Sequence, residues 1–372
     1  MSSLYLHVPF CRSKCHYCSF TSIAGCEGLY RSYSAALKKE LSSVVIPAPL
    51  KTIFIGGGTP TILPTELLIK ILDQCSQVFR IAAGAEISVE ANPGTVDEDS
   101  LQALVSAGVN RLSLGTQSLD DRDLKILGRI HTAGETRAAV RAARRAGIMN
   151  LNLDLMCGLP GQTVASWQKT LDQALSLQPD HLSVYQLTIE DDTPFAEMMK
   201  SGRLALPNEE TVIEMDLRTI ASCRTAGIEQ YEISNYARPG FECRHNINYW
   251  ENREYIACGA AAVSYVGGVR EKRIGNVHEY IERISSGLPV IEESERLSLE
   301  AAFRETVIMG LRLIRGVRRD SLRRRYGKDV DEYYGHTLEN LLNQGLVKLT
   351  ITHLHLTERG RLLANQVMAD LV

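Results

Sequence analysis

The sequence predicts an α/β fold, an incomplete (β/α)6 TIM-like barrel followed by a small C-terminal α+β domain of winged-helix type. Three observations carry this reading. Short β-rich runs alternate with amphipathic helical stretches up to about residue 235, at steps of roughly 25–45 residues, as right-handed βαβ crossovers require. Six such runs are found, too few to close an eight-stranded barrel. From residue 299 the pattern changes to helices rich in Arg and Leu, then a hairpin, then a last helix.

The candidate strands cover 4–8, 52–55, 87–90, 111–114, 151–155 and 182–186. The helical stretches between them cover 30–45, 65–79, 99–107, 132–146 and 164–177; Leu37, Leu41 and Val44 give the first its apolar stripe. In this architecture reactive groups gather at the C-terminal ends of the strands. Gly56-Gly57-Gly58-Thr59-Pro60 follows the second run, Glu90 ends the third, Gly115-Thr116-Gln117 follows the fourth, Asp154 falls near the end of the fifth, and Thr188 follows the sixth. One site on one rim is therefore expected. The chain divides into a barrel domain (1–235), an irregular connecting region (236–298) broken at Pro239-Gly240, and a C-terminal domain (299–372).

Bulk properties exclude several classes of function. The 372 residues are 44% hydrophobic and 23% charged, with a formal net charge of −3, so no overall positive field draws the chain to nucleic acid or to an anionic membrane. The cluster Arg318, Arg319 and Arg323–Arg325 reads as a solvated helix face. No apolar stretch reaches about eighteen residues, which leaves at most peripheral membrane contact. The first residues, Met1 to Tyr5, lack the basic and apolar regions of a secretory leader, so a cytoplasmic location is expected.

Nine cysteines in a reducing compartment are then thiols rather than disulfides. Six are scattered and read as small buried hydrophobes. The others form Cys11-Arg-Ser-Lys-Cys15-His-Tyr-Cys18, a C-x3-C-x2-C run that presents three sulfurs from one loop. A structural zinc ion wants four ligands, and no fourth Cys or His stands at familiar zinc spacing, although His16 lies inside the loop. An iron–sulfur cluster is normally held by four thiolates, so three leave one iron open to another molecule. Zinc with a remote ligand, or three unpaired thiols, are the alternatives.

The C-x3-C-x2-C run after a first strand, followed by Gly-Gly-Gly-Thr-Pro after the second, resembles the radical SAM superfamily. The flanking residues Tyr5-Leu-His-Val-Pro-Phe-Cys11 and Cys15-His-Tyr-Cys18-Ser-Phe20 are similar to its HemN/HemW family, which holds an oxygen-independent coproporphyrinogen III dehydrogenase and a haem chaperone. The resemblance implies a [4Fe–4S] cluster on Cys11, Cys15 and Cys18. That cluster would pass one electron to the sulfonium of S-adenosylmethionine (SAM), releasing methionine and a 5′-deoxyadenosyl radical in the true enzymes. It also implies a SAM site of Tyr5, Tyr17, Gly57, Gly58, Thr59, Glu90, Gln117, Arg129 and Asp154.

Two differences separate this chain from the dehydrogenase. Phe20 stands where that enzyme has a fourth cysteine, and the chain begins ten residues before Cys11, without the extension that covers the substrate there. Both favour the chaperone and imply that dehydrogenase activity is absent. His245-Asn246-Ile-Asn-Tyr249-Trp250 matches the HNxxYW motif of the chaperones and implies His245 as a haem contact, with Cys243 a weaker candidate. Val263 and Ser19 depart from the family, which has His and Asp there. The resemblance further implies haem-accepting respiratory proteins as partners and a homodimer. Its alternative is oxidative decarboxylation of coproporphyrinogen III.

Overall fold

The computed structural model describes residues 3–372; Met1 and Ser2, the head of the segment read for a leader, lie outside it. Nine strands form one open sheet. In chain order these are β1 (Ser3–Val8), β2 (Leu50–Gly57), β3 (Ile81–Ala91), β4 (Arg111–Gln117), β5 (Asn150–Cys157), β6 (His181–Gln186), β7 (Glu229–Glu232), β8 (Asn235–Ala237) and β9 (Ile256–Cys258). Their spatial order is β9-β1-β2-β3-β4-β5-β6-β8-β7. Strands β1 to β6 run parallel, as the six runs predict.

Parallel strands covered on their faces read as continuous apolar runs, and Leu112, Leu114, Leu151, Leu153 and Leu155 are fully buried. The crossover helices are α1 (Tyr30–Ser43), α2 (Thr65–Val78), α3 (Glu98–Ser106), α4 (Ala133–Arg145) and α5 (Val164–Ser176). Three of them start at reciprocal caps that satisfy free N–H groups: Asp97 with Ser100, Thr132 with Glu135, and Thr163 with Ser166.

The sheet does not close on itself. Strand β8 runs antiparallel along β6, and β7 antiparallel along β8. At the other edge β9 pairs in parallel with β1, Leu4 opposite Ile256 and Leu6 opposite Cys258. Both edges of the parallel core are thus taken by segments that the sequence pattern did not mark as strands.

Residues 236–298, expected to be irregular, are ordered. They carry helix α6 (Arg244–Trp250), strand β9, a three-stranded antiparallel sheet of Val263–Val266, Val269–Arg273 and Ile291–Arg296, and the helix Val277–Ser286. The outer strand of that sheet is almost wholly exposed and polar, so no alternation of apolar residues betrays it. A buried carboxylate ties the segment to the barrel. Glu40 on α1 accepts from the Arg273 guanidinium, from the Tyr280 hydroxyl at 2.5 Å and from the Gly259 N–H at 2.9 Å.

The C-terminal part has its own core, with Phe303, Val307, Leu322 and Leu354 at its centre. Helices Leu299–Leu311, Arg319–Tyr326, Val330–Tyr334 and His336–Asn343 pack on a small sheet in which His353–Leu356 lies between Val317–Arg318 and Val347–Leu349. Gly316 turns at φ +76°, and a Cβ there would fall 2.0 Å from the Leu354 carbonyl oxygen. No helix among the described residues is long and apolar enough to cross a membrane.

Glu40→Ala should strand the Arg273 charge in the interior. Breaking a buried pair in this way costs about 3–5 kcal/mol. Chemical denaturation of the variant should show a loss of that size, and an unchanged midpoint would mean that Glu40 does not hold the segment.

Candidate functional site

The cysteine loop leaves β1 at Pro9. Phe10–Cys11 pairs in parallel with Ile23–Ala24, and the Ile23 N–H reaches the Pro9 carbonyl at 2.8 Å, so residues 10–24 form a loop closed at its base. The Cys18 N–H bonds to the Cys15 carbonyl at 3.2 Å and folds the last two cysteines into a turn. All three thiols are half-buried and free. Burial, together with the neighbouring Cys15 and Cys11, raises the Cys18 pKa. Among the described residues no three Cys, His, Asp or Glu side chains converge as one metal ion would require.

His16 is accounted for. Its Nδ1 lies 2.9 Å from the Ile126 carbonyl oxygen and its N–H donates to Leu127 at 3.0 Å. The ring lies so close to Gly128 that a Cβ there would come within 2.9 Å of it. This histidine pins the cysteine loop to the segment that carries Arg129.

Arg129 joins three strand ends. Its guanidinium donates to Cys15 Sγ at 3.5 Å, to the Gly115 carbonyl at 2.6 Å and to Asn92 Oδ1. The Asn92 amide in turn donates to Thr59 Oγ1 at 2.9 Å, which stands 3.8 Å from Cys11 Sγ. A polar chain thus runs from Cys11 through Thr59, Asn92 and Arg129 back to Cys15. Gly58 is bare for a reason: a Cβ would sit 2.5 Å from the Phe10 carbonyl oxygen and 2.9 Å from Cys11 Sγ. Gln117 takes φ +61°, a costly value for a residue with a side chain. Tyr17 borders Cys15 and Arg129, and burial raises its hydroxyl pKa.

The remaining predicted residues lie deeper. A cavity of about 200 Å³ inside the sheet is lined by Tyr5, Glu90 and Asp154, among others, with Arg111 and His245. Glu90 Oε2 accepts from the Gly57 N–H at 3.1 Å, which links this layer to the glycine turn. Desolvation, with the Asp154 charge adding to it, pushes Glu90 up to about 8. Asp154 accepts from Ser113 at 3.0 Å and from Asn152 at 2.8 Å, and burial raises its pKa as well. The Tyr5 hydroxyl bonds to His7 Nδ1 at 3.1 Å.

His245 lines the same inner cavity. The ring is buried, with Nδ1 2.8 Å from Thr52 Oγ1 and Nε2 2.9 Å from the Tyr249 hydroxyl. Burial and the Arg111 charge push its pKa down to about 3. Its N–H and that of Arg244 both donate to Glu86, at 3.1 and 2.9 Å, which binds the start of α6 to β3. Cys243 is fully buried with its pKa pushed up to about 12, a thiol and no thiolate. Val263 lies half-buried in its strand, opposite Lys272, and Ser19 and Phe20 are exposed on the cysteine loop.

Two residues of this site escaped the sequence reading. Asn92 stands two places beyond Glu90 in Ser-Val-Glu-Ala-Asn-Pro, a segment already singled out, and its polarity beside a strand end was the available signal. Arg111 is a fully buried arginine at the start of β4, and a lone arginine in sequence reads as surface.

The raised Glu90 pKa carries a sign for stability. The folded chain holds this proton more tightly than the unfolded one, so stability present below pH 4.5 is lost as pH rises through about 8. Glu90→Gln keeps an acceptor for Gly57 and removes the titration. Thermal melts from pH 5 to 9 should show the wild type falling relative to this variant, by on the order of a few kcal/mol at the alkaline end. Parallel curves would mean that the carboxyl is ionised throughout.

An open α/β sheet with a parallel core, a three-thiol loop after its first strand and a glycine turn after its second defines the architecture of a radical SAM protein. Residues 5–174 match the Radical SAM superfamily, and residues 297–363 match the HemN C-terminal domain. Heme chaperone HemW of Bacillus subtilis (strain 168) is 38% identical over 372 residues, covering 99% of this chain and 98% of that protein. Heme chaperone HemW of Escherichia coli (strain K12) is 43% identical over 264 residues, 70% of this chain and 69% of that one. The solved structure of the radical SAM enzyme coproporphyrinogen III oxidase (HemN) from Escherichia coli superimposes with a TM-score of 0.87, covering 99% of this chain and 89% of that one. Its 24% identity speaks to the fold alone. The chain belongs to the HemN/HemW family of the radical SAM superfamily.

Proposed function

We propose that the chain is a haem chaperone of the radical SAM type, binding a [4Fe–4S] cluster, SAM and haem and passing haem to respiratory proteins in the cytoplasm. The observation that carries this reading is identity of 38% along nearly the whole length of a protein named heme chaperone HemW. The local geometry fits the cluster. Three half-buried thiols on one closed loop offer three corners and leave a fourth for SAM. When bound, the cluster supplies a single electron to that ligand.

The chain's own groups then have definite tasks. Arg129 donates to Cys15 and balances part of the negative charge of three thiolates. Thr59 stands against Cys11 and holds the other side of the loop. Gly57 and Gly58 keep the turn free of side chains, so that a ligand backbone can approach. Glu90 and Asp154 present carboxyls to an amine or a ribose, Tyr5 borders the same space, Tyr17 stands beside the cysteine loop and Arg129, and Gln117 follows at the end of β4. Nucleic acid is no partner in this reading, membrane contact is peripheral, and two copies associate.

Protein purified without oxygen should hold about four irons and as much sulfide per chain, with a broad band near roughly 400 nm. Cys15→Ser should lose both. Gly58→Ala should lower the iron at least twofold, because its methyl group displaces Cys11. Stoichiometric zinc in place of iron would overturn the cluster reading. The chaperone reading is tested by supplying coproporphyrinogen III, SAM and a reductant under the same conditions. No protoporphyrinogen should form, and its appearance would make the protein a dehydrogenase.

A further inference from the structure

Two side-chain donors reach the cysteine loop from the sheet, the Arg129 guanidinium at Cys15 and the Thr59 hydroxyl at Cys11. One side chain stands between them. Asn92 accepts from Arg129 Nη2 through Oδ1 and donates to Thr59 Oγ1 through Nδ2 at 2.9 Å. The neighbours fix which way the amide faces. A guanidinium only donates, so Oδ1 must face Arg129 and the NH2 group must face Thr59.

The backbone beneath the amide is held as firmly. Asn92 precedes Pro93 and takes the extended backbone that this position favours, φ −92° and ψ 142°. Its carbonyl accepts from the Thr95 N–H at 2.9 Å and from the Thr95 hydroxyl at 2.7 Å. Across the site, Gly115 is bare where the two side chains meet. A Cβ there would fall 3.1 Å from Asn92 Oδ1 and 3.3 Å from Arg129 Nη2.

This arrangement directs hydrogens onto sulfur. Thr59 Oγ1 takes a hydrogen bond from the amide, which leaves its own hydrogen for Cys11 Sγ, 3.8 Å away. Arg129 spends Nη2 on Asn92 and on the Gly115 carbonyl, which leaves Nη1 for Cys15 Sγ at 3.5 Å. An aspartate could accept from Arg129 but could not donate to Thr59, and a leucine could do neither. Donors and positive charge beside the thiolates stabilise the extra electron of a reduced cluster, so they raise its reduction potential.

We propose that Asn92 is a positioning residue of the cluster site, which turns one donor onto Cys11 and one onto Cys15 and so holds the potential of the cluster up. The inference rests on the cluster reading above and adds to it the group that tunes the cluster.

The test uses the full-length wild type, Asn92→Asp and Asn92→Leu, each loaded with iron and sulfide without oxygen. Each is titrated reductively in the absence of SAM, following visible absorption and the electron paramagnetic resonance of the reduced form. All three should hold about four irons per chain, because the three thiols are untouched. Asn92→Leu should lower the midpoint potential by at least about 28 mV, a threefold fall in the ratio of reduced to oxidised cluster at fixed potential. Asn92→Asp also sets a negative charge against Arg129, and should lower it by at least about 59 mV, a tenfold fall. A wild type without a cluster would sink the cluster reading and this assignment with it. With the wild type loaded, an unchanged or raised potential in both variants overturns the assignment alone. So does a loss of iron in both, whether complete or with the remaining cluster titrating as in the wild type, since Asn92 would then be a support of the loop and no tuner of its charge.

Discussion

Arg129 carries its charge into the gap between the cysteine loop and the sheet, and three segments that are distant in sequence converge on it. The Gly115 carbonyl comes from the end of β4, Asn92 from the turn after β3, and Cys15 from the loop after β1. A guanidinium can serve three acceptors at once because its donors fan out in one plane, and an ammonium in its place could not span them. His16 clamps the same loop to the residues just before Arg129, so the thiols are held from both sides. Besides this junction, the loop is tied by its base, by the contact of Cys11 with Thr59, by His7 Nε2 at 2.9 Å from the Thr21 carbonyl oxygen, and by the Phe195 N–H donating to the His16 carbonyl at 3.0 Å. The strand ends meet here because the sheet is parallel.

The HNxxYW segment works in two directions. Its first half is spent on the barrel: Glu86 gathers two N–H groups, and His245 bridges Thr52 and Tyr249. Its last residue belongs to a different space, where Arg312 lies over the indole and reaches back toward Glu232 at 3.7 Å. One short helix therefore couples the interior of the sheet to the boundary with the C-terminal domain. With both ring nitrogens engaged, this histidine fastens α6 to the barrel.

Much of this was legible in the sequence. The six parallel strands and their helices follow from apolar runs and capping residues, and the elements differ from expectation by a few residues at their ends. The cysteine loop, the glycine turn and Glu90 could be marked because each pairs an unusual residue with a strand end. What escaped reading has a common physical cause. Strand β9 is three residues long, the outer strand Ile291–Arg296 is polar on both sides, and Arg111 is paid for by buried partners on other strands. A cationic cavity beside the C-terminal domain is assembled from residues 248 to 326, so no local pattern contains it. The pattern marks the whole cluster Arg318, Arg319 and Arg323–Arg325 as a solvated face, whereas Arg319 and Arg323 turn to Asp329.

The pairing of β9 with β1 has a consequence for biosynthesis. The strand that leads into the cysteine loop cannot acquire its outer neighbour until residues 256–258 have been translated, although β2 is available after residue 57. Contacts of such long sequence separation form late and slowly. For most of the time on the ribosome the nascent barrel therefore exposes one raw edge directly beside its three thiols, and the last turn of the key is a tripeptide made more than two hundred residues later.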